Sequence, residues 1–309
     1  MNTEIGAPEF AGAWRRIGAF VIDIFVLGLI GIGLGYVFFD ALVAAGRWGH
    51  LIGFLLAMGY FVPLDSTFGK GQTFGKQLLK IKVIRTDGSV PPLQVSLLRF
   101  AIIGIPWFLN GAWLPAPLLA PPWIYLLALL VFGAGFSLFY LFLFNRPSRR
   151  SLQDLATGTV VVNAEHAQPV VVPPLARVHT IAVPAIAALS LLLPAFTTRL
   201  VEQEMWAPLM HAYERVNADP MVLHAQVNRG FTARGDKRTT YLQITAYLSE
   251  PRIDEWEIAQ RLARYAIQAD PSSMNLDVVQ VVLVYGYDIG IATGHRSYAH
   301  DKTAAEWLQ

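Results

Sequence analysis

Cysteine is absent from all 309 residues. That excludes disulfides, thiolate metal sites and a cysteine nucleophile. Charge is scarce as well: Asp, Glu, Lys and Arg make up 15% of the chain, against about 25% in an ordinary soluble domain. The shortage is local. Not one Asp, Glu, Lys, Arg or His lies between Phe100 and Phe144, whereas after Thr198 charge returns to the density of a soluble protein. A cleavable leader is not expected either. Arg15 and Arg16 precede an apolar stretch too long for a leader core, with no small-residue cleavage site after it, so the first helix is expected to stay in the mature protein. There is no nucleophile elbow and no internal repeat of the kind common in transporters. Gly71, Gly75 and Lys76 imitate a phosphate loop, but the spacing is one residue short and Gln77 stands where Ser or Thr would hold magnesium.

Hydrophobic residues make up 54% of the sequence and mean hydropathy is +0.43. A spanning helix needs about 20 apolar residues. Spans are expected at Ile17–Phe39, Gly49–Leu64, Val95–Trp113, Trp123–Phe144 and Val178–Phe196. Pro63 bends or ends the second, and Pro115, Pro117, Pro121 and Pro122 divide the third from the fourth. The fifth holds Pro184 and Pro194 and is the weakest; a re-entrant or surface-lying segment is the alternative. The expected fold is an α-helical transmembrane bundle of four core spans plus a fifth, followed by a small α+β soluble domain. Residues 1–165 would form the membrane domain, 166–219 a Pro-rich linker, fifth span and stalk helix, and 220–309 the soluble domain.

Lys and Arg gather on one side of these spans. Arg15, Arg16, Lys70, Lys76, Lys80, Lys82, Arg85, Arg99, Arg146, Arg149, Arg150 and Arg177 share it, against Arg47 alone on the other. The positive-inside rule then places the N-terminus in the cytoplasm of a bacterial inner membrane. Five spans put the C-terminal domain in the periplasm, and four would leave it inside. In the basic loop, Gln77 to Arg85 alternates in part and Asp87-Gly88 is a turn pair, which predicts a local hairpin at the membrane surface.

Asp23 interrupts the first span. Seven residues at 100° bring it back to the face of Arg16, about 10 Å further along the helix. A carboxylate at that depth costs roughly 2.5–3.5 kcal/mol unless paired or protonated. It is expected to pair with Arg16, to pair with Arg99, or to stay protonated, and to serve either as a proton or cation site or as a polar latch between helices. Asp154 lies in an amphipathic stretch with Leu152, Leu155 and Ala156, where it can face Arg16 or the pair Arg149 and Arg150. Asp65 and Asp40 end spans and are read as water-reaching. Gly28, Gly31, Gly33 and Gly35 offer small faces for close helix approach.

Beyond the linker, Leu200, Val201, Met205, Leu209, Met210, Tyr213 and Val216 recur at helical spacing and predict a stalk. Met221–Phe231 and Thr239–Leu248 then read as a hairpin around Arg234-Gly235-Asp236-Lys237. Ile253–Ala269 reads as an amphipathic helix capped by Asp254 with Glu257. Val278–Tyr285 reads as a buried strand that turns after Gly286 into another, and residues 304–308 as a short terminal helix. His211, His224, His295 and His300 show no metal-site spacing, so neither metal nor cofactor is expected. Arg229, Arg234, Lys237 and Arg238 ring the hairpin and are read as a solvated turn.

Three segments together resemble the RDD family of membrane proteins, named for one arginine and two aspartates. They are Arg16-Ile-Gly-Ala-Phe-Val-Ile-Asp23, Gln72-Thr-Phe-Gly75-Lys76-Gln-Leu-Leu-Lys-Ile-Lys-Val83 and Ser151-Leu-Gln-Asp154-Leu-Ala-Thr-Gly-Thr-Val-Val161. The resemblance covers residues 8–163. It implies that Arg16, Asp23 and Asp154 are the signature residues, and it suggests transport, including cation–proton exchange. The expected ion or proton site, or polar latch, is Arg16, Asp23, Asp154 and Arg99. The alternative is a membrane anchor or assembly factor whose C-terminal domain binds a partner. No enzymatic activity is expected. Expected partners are the lipid bilayer and another membrane or periplasmic protein or a second copy of the chain, with no nucleic acid.

Overall fold

A computed structural model describes residues 10–166, 168–201, 206–235 and 237–309. The chain divides into two compact units. The first comprises 1–31, 50–194 and 289–292, and the second comprises 32–49, 195–288 and 293–309. The boundaries fall inside two long helices, so each unit is described by its residues.

The helices and strands of the first unit begin with α1 (Ala13–Ala45), shared with the second unit, and α2 (Gly49–Leu64). They continue through α3 (Phe74–Leu78), β1 (Ile81–Arg85), α4 (Leu93–Leu109), α5 (Trp123–Ala128), α6 (Gly135–Phe144), α7 (Leu152–Thr157), β2 (Thr159–Asn163) and α8 (Arg177–Val201). A π-helical stretch, Leu129–Ala134, joins α5 to α6. Among the described residues three helical stretches are long and apolar enough to cross a membrane: Ala13–Leu64, Trp123–Phe144 and Arg177–Arg199, with mean hydropathies of 2.5, 2.4 and 1.9. The first holds two of the expected spans, joined by the turn Gly46–Trp48, where Gly46 has φ +50°. The expected third span is shorter than its sequence suggested, α4 ending at Leu109. Pro106 lies inside α4 and Pro63 inside α2, and neither ends its helix on the spot. These helices are apolar nearly all round and leave large side chains such as Phe25, Leu29, Phe139 and Leu192 exposed. Such surfaces fit a lipid solvent.

The basic loop departs from expectation. Gln77–Arg85 forms no local hairpin. Residues 74–78 are helical, capped by Thr73, whose Oγ1 accepts from Lys76 N at 3.4 Å. The strand β1 pairs antiparallel with β2, with Val83 opposite Val161. Asp87-Gly88 does turn, with Gly88 at φ +87° and Ser89 N donating to Asp87 Oδ1 at 2.9 Å, but it leads to α4. The β-branched runs Ile-Lys-Val-Ile and Thr-Val-Val-Val explain the pairing, because both faces of this two-stranded sheet are covered. Ile81, Val83 and Val161 pack with Ala11 and Ala19, and Ile84, Val160 and Val162 pack with Val170. Part of the expected stiff linker is therefore core: Val170 is buried and its N–H donates to Thr86 O at 3.0 Å.

The second unit contains α9 (Ala207–Asn217), β3 (Val222–Arg234), β4 (Lys237–Leu248), α10 (Trp256–Ala269), β5 (Val278–Asp288), β6 (Thr293–Lys302) and α11 (Ala304–Leu308). The four strands form one sheet in the order β3-β4-β5-β6. The predicted hairpin pairs antiparallel, β4 and β5 run parallel, and β6 returns antiparallel to β5. A parallel neighbour requires a crossover, which α10 supplies. One sheet face, with Leu242, Ile244, Val281 and Leu283, is buried under Ala212 and Val216 of α9, Ile258, Leu262 and Ala266 of α10, and Trp307 of α11. So α9 is a core helix and not a free stalk. Met205, on the expected stalk, lies outside the described residues. The cap of α10 also differs: Glu255 is its N-cap and contributes no side-chain hydrogen bond, in place of the predicted Asp254.

The glycines of α1 do not meet a neighbouring helix. In the first unit a Cβ on Gly31 would lie 2.6 Å from Cβ of Ala292. In the second, a Cβ on Gly35 would lie 1.7 Å from the Tyr287 hydroxyl.

Candidate functional site

The second and third segments quoted above, with α1, build two polar centres in the first unit. Asp154 stands at the heart of one. It sits in the first turn of α7, which Gly158 ends at φ +63°, and it is fully buried. Its Oδ2 accepts from Arg16 Nη2 at 2.8 Å and from Ser151 N at 3.2 Å. Its Oδ1 accepts from Arg99 Nη1 and from Thr159 Oγ1 at 3.4 Å. Arg99, buried on α4, also donates to Thr159 Oγ1 at 2.6 Å. Its Nε lies 3.9 Å from Asp65 Oδ2, and Asp65 in turn binds Lys76 Nζ at 2.6 Å. Arg16 is fixed further by the Arg149 carbonyl and by the Phe142 ring, 5.3 Å from its guanidinium. The chain of charges is closed: Arg16, Asp154, Arg99, Asp65, Lys76.

Burial alone would push the Asp154 carboxyl up. Arg99 and then Arg16 outweigh it and, with their hydrogen bonds and that of Ser151, bring it down to about 2. Burial pushes Lys76 below the ordinary lysine range despite Asp65 beside it. Arg150 is likewise lowered by burial, against the pull of Asp154.

Asp23 forms the second centre. It is 1% exposed and pairs with neither Arg16 nor Arg99. Its three donors are uncharged. Tyr60 OH reaches Oδ1 at 2.7 Å, Gly75 N reaches Oδ1 at 2.8 Å, and Thr73 Oγ1 reaches Oδ2 at 2.5 Å. Residues 73–75 fold back to cover the Asp23 carboxylate, a contact that the spacing of Arg16 and Asp23 along α1 does not indicate. Gly75 is required there, since a Cβ would lie 2.1 Å from Ala19 O. Arg15 ties the same segment to α1 from the other side, its Nε donating to Leu79 O at 3.1 Å and its Nη2 to Lys80 O at 2.8 Å.

Of the four expected site residues, Arg16, Asp154 and Arg99 come together and Asp23 stands apart. Asp65 was read as water-reaching and is 7% exposed within the network. Tyr60, Thr73, Gly75, Asp65 and Lys76 were not foreseen as site residues. The signal for three of them was present, since Thr73, Gly75 and Lys76 lie in one of the three family-like segments. Asp40 is exposed but accepts from Tyr285 OH at 2.9 Å within the second unit.

The second unit assembles less chemistry. Among the described residues no three of His, Cys, Asp and Glu converge on a metal-sized site. Burial lowers His224 and His300. Arg229 and Arg238 are not simply solvated: Arg229 donates to Ser272 Oγ at 2.7 Å, and Arg238 lies 4.1 Å over the Phe231 ring. Asp236 lies outside the described residues.

Comparison with family models matches residues 10–158 to the RDD family, a membrane-associated family. No curated protein matches the chain.

Proposed function

We propose that this chain, an RDD family membrane protein over residues 10–158, is a membrane anchor whose signature charges hold the bundle and whose C-terminal sheet domain engages a partner protein. One observation carries the reading: each signature carboxylate is buried and already engaged. Asp154 is bound by two guanidiniums and Asp23 by three neutral donors. A carboxylate that loads and releases a cation or proton needs a route to water. Asp154 is fully buried and Asp23 is 1% exposed.

The distribution of Lys and Arg supports a cytoplasmic N-terminus in the inner membrane. With α8 as the last span, the sheet domain stands on the periplasmic side.

The test is cation-driven proton flux in liposomes holding the purified protein, native and as Asp23→Asn and Asp154→Asn. The anchor reading expects no flux above empty liposomes for the native chain. Native flux that disappears in a correctly folded variant would overturn it in favour of ion-coupled exchange. A reporter fused after Gln309 checks the side of the sheet domain: activity confined to the cytoplasm would remove α8 from the spans.

A further inference from the structure

At the start of α1 and the end of α6 lies a hollow of about 490 Å³ that the charge network does not use. Its apolar wall is Ile17, Phe142, Leu143 and Trp14. Leu143 is 40% exposed and Trp14 84%, and both stand at ends of apolar stretches, the level where an indole meets lipid headgroups. Its basic rim is Arg146 and Arg149. Arg15 also borders it, but that guanidinium is taken by the Leu79 and Lys80 carbonyls and by Asn163.

The rim is built in advance. Asn145, 4% exposed, donates through Nδ2 to Arg150 O at 2.8 Å and to Ser148 Oγ at 3.3 Å. Arg149 N returns to Asn145 O at 2.8 Å, and Arg149 O receives Arg16. These bonds hold Arg149 at φ +50°, a left-handed conformation that a side-chain-bearing residue rarely adopts. Neither Arg146 nor Arg149 has a carboxylate partner among the described residues. The nearby acid, Asp154, is bound to Arg16 and Arg99.

We propose that this hollow holds one anionic phospholipid, its phosphate on Arg146 and Arg149 and its acyl chains against Ile17, Phe142 and Leu143. Guanidinium forks suit phosphate oxygens, and basic pockets between membrane helices are established headgroup sites. The apolar wall continues the lipid-facing surface of α6, so chains enter from the side. A cationic headgroup such as choline would bring its charge against the same two arginines, which gives the site a preference for net-negative lipid. The site is independent of whether the bundle anchors or transports.

The experiment is native mass spectrometry of the full chain in detergent, titrated with phosphatidylglycerol and with phosphatidylcholine of identical chains. The expected result is one phosphatidylglycerol retained in preference to phosphatidylcholine. Affinity should fall about fivefold for each of Arg146→Gln and Arg149→Gln, the weight of one basic residue at a membrane surface. Arg47→Gln should leave it unchanged. Equal retention of the two lipids, or unchanged affinity in the double variant, would overturn the proposal. So would displacement of the lipid by millimolar inorganic phosphate, which would mark an anion pocket with no use for chains. Should Arg149→Gln fail to fold, Arg146→Gln decides alone: native affinity in that variant sinks the idea.

Discussion

Replacing Asp154 with Asn removes one negative charge and almost no volume, so its cost isolates the charge. In the native chain Asp154 lies between Arg16, at 2.8 Å, and Arg99, itself 4% exposed. The nearest other anion, Asp65, is 3.9 Å from Arg99 Nε and already engaged by Lys76. Removing Asp154 therefore leaves three cations, buried Arg99 and partly buried Arg16 and Lys76, around a single carboxylate. Breaking a buried pair by deleting one partner costs roughly 3–5 kcal/mol, which is about two to four orders of magnitude in the unfolded population. The asparagine amide would also present its own N–H groups to one of the arginines. The assay is the fraction of monodisperse protein left after heating in detergent, native against Asp154→Asn. A triple variant, Arg16→Met with Arg99→Met and Asp154→Leu, supplies the control. It removes charge and desolvation together and should recover most of the loss, because an apolar replacement of a buried ion network is often neutral or better. A difference below about 1 kcal/mol between native and Asp154→Asn, the worth of an exposed pair, would refute the claim that this carboxylate holds the bundle together.

Gly75→Ala should destabilise by roughly 1–3 kcal/mol from overpacking. Its Cβ would lie 2.1 Å from a backbone oxygen that cannot rotate away, and infrared or thermal assays on the detergent-solubilised chain should show the loss. Acid should weaken the fold through Asp154. Its folded value, about 2, lies below the ordinary 3.8, so its stabilisation is present above about pH 4 and is lost as pH falls toward 2, on the order of 2 kcal/mol. A melting-temperature series across that window checks it, and in Asp154→Asn that component should vanish. In the second unit Trp307→Ala should cost about 3–5 kcal/mol. That indole is fully buried, donates to Val279 O at 2.8 Å and stacks on Trp256 at 4.6 Å, so the near-ultraviolet dichroism of the full chain should fall with it.

The apolar helices and the sheet domain were legible because their signals are local. Hydropathy marks a helix over 20 residues, partial alternation marks β3 and β4 within a dozen, and a run of β-branched residues marks β5. The α10 helix followed from its apolar stripe, but its role as a parallel crossover did not. What was not legible needed a partner far along the chain. Strand β1 finds its neighbour β2 near residue 160, and nothing in Gln77–Arg85 points there; the local turn at Asp87-Gly88 pointed elsewhere. For Asp23 the sequence left three outcomes, pairing with Arg16, pairing with Arg99 or protonation, and gave no sign that Thr73 and Gly75, fifty residues on, supply neutral donors. Asp65 follows a span and so read as a water-facing end, but Lys76 and Arg99 close over it. The glycine face of α1 was read as a helix contact. It takes Ala292 at Gly31 and Tyr287 at Gly35, each within its own unit, because a missing Cβ says how close a neighbour comes and not what the neighbour is.

Arg16 and Asp23, seven residues apart on α1, and Asp154, far along the chain, do one job in two different ways. Asp23 grips residues 73–75 through uncharged donors, the Thr73 hydroxyl and the Gly75 N–H. Asp154 grips α1 and α4 at once, with an anion between two cations, and positions the chain one turn before β2. Residues 73–75 lead into β1 as residues 154–158 lead into β2, so the two grips set the register in which β1 and β2 pair. Arg15 adds a third hold on the end of α3. On this view the signature is a device for seating a two-stranded sheet against the first helix. The strands themselves, five residues each, are too short to stand unaided, since an isolated two-stranded sheet is marginal at best in water. That dependence accounts for an arginine and two aspartates, costly residues beside a membrane, standing around the sheet in this chain.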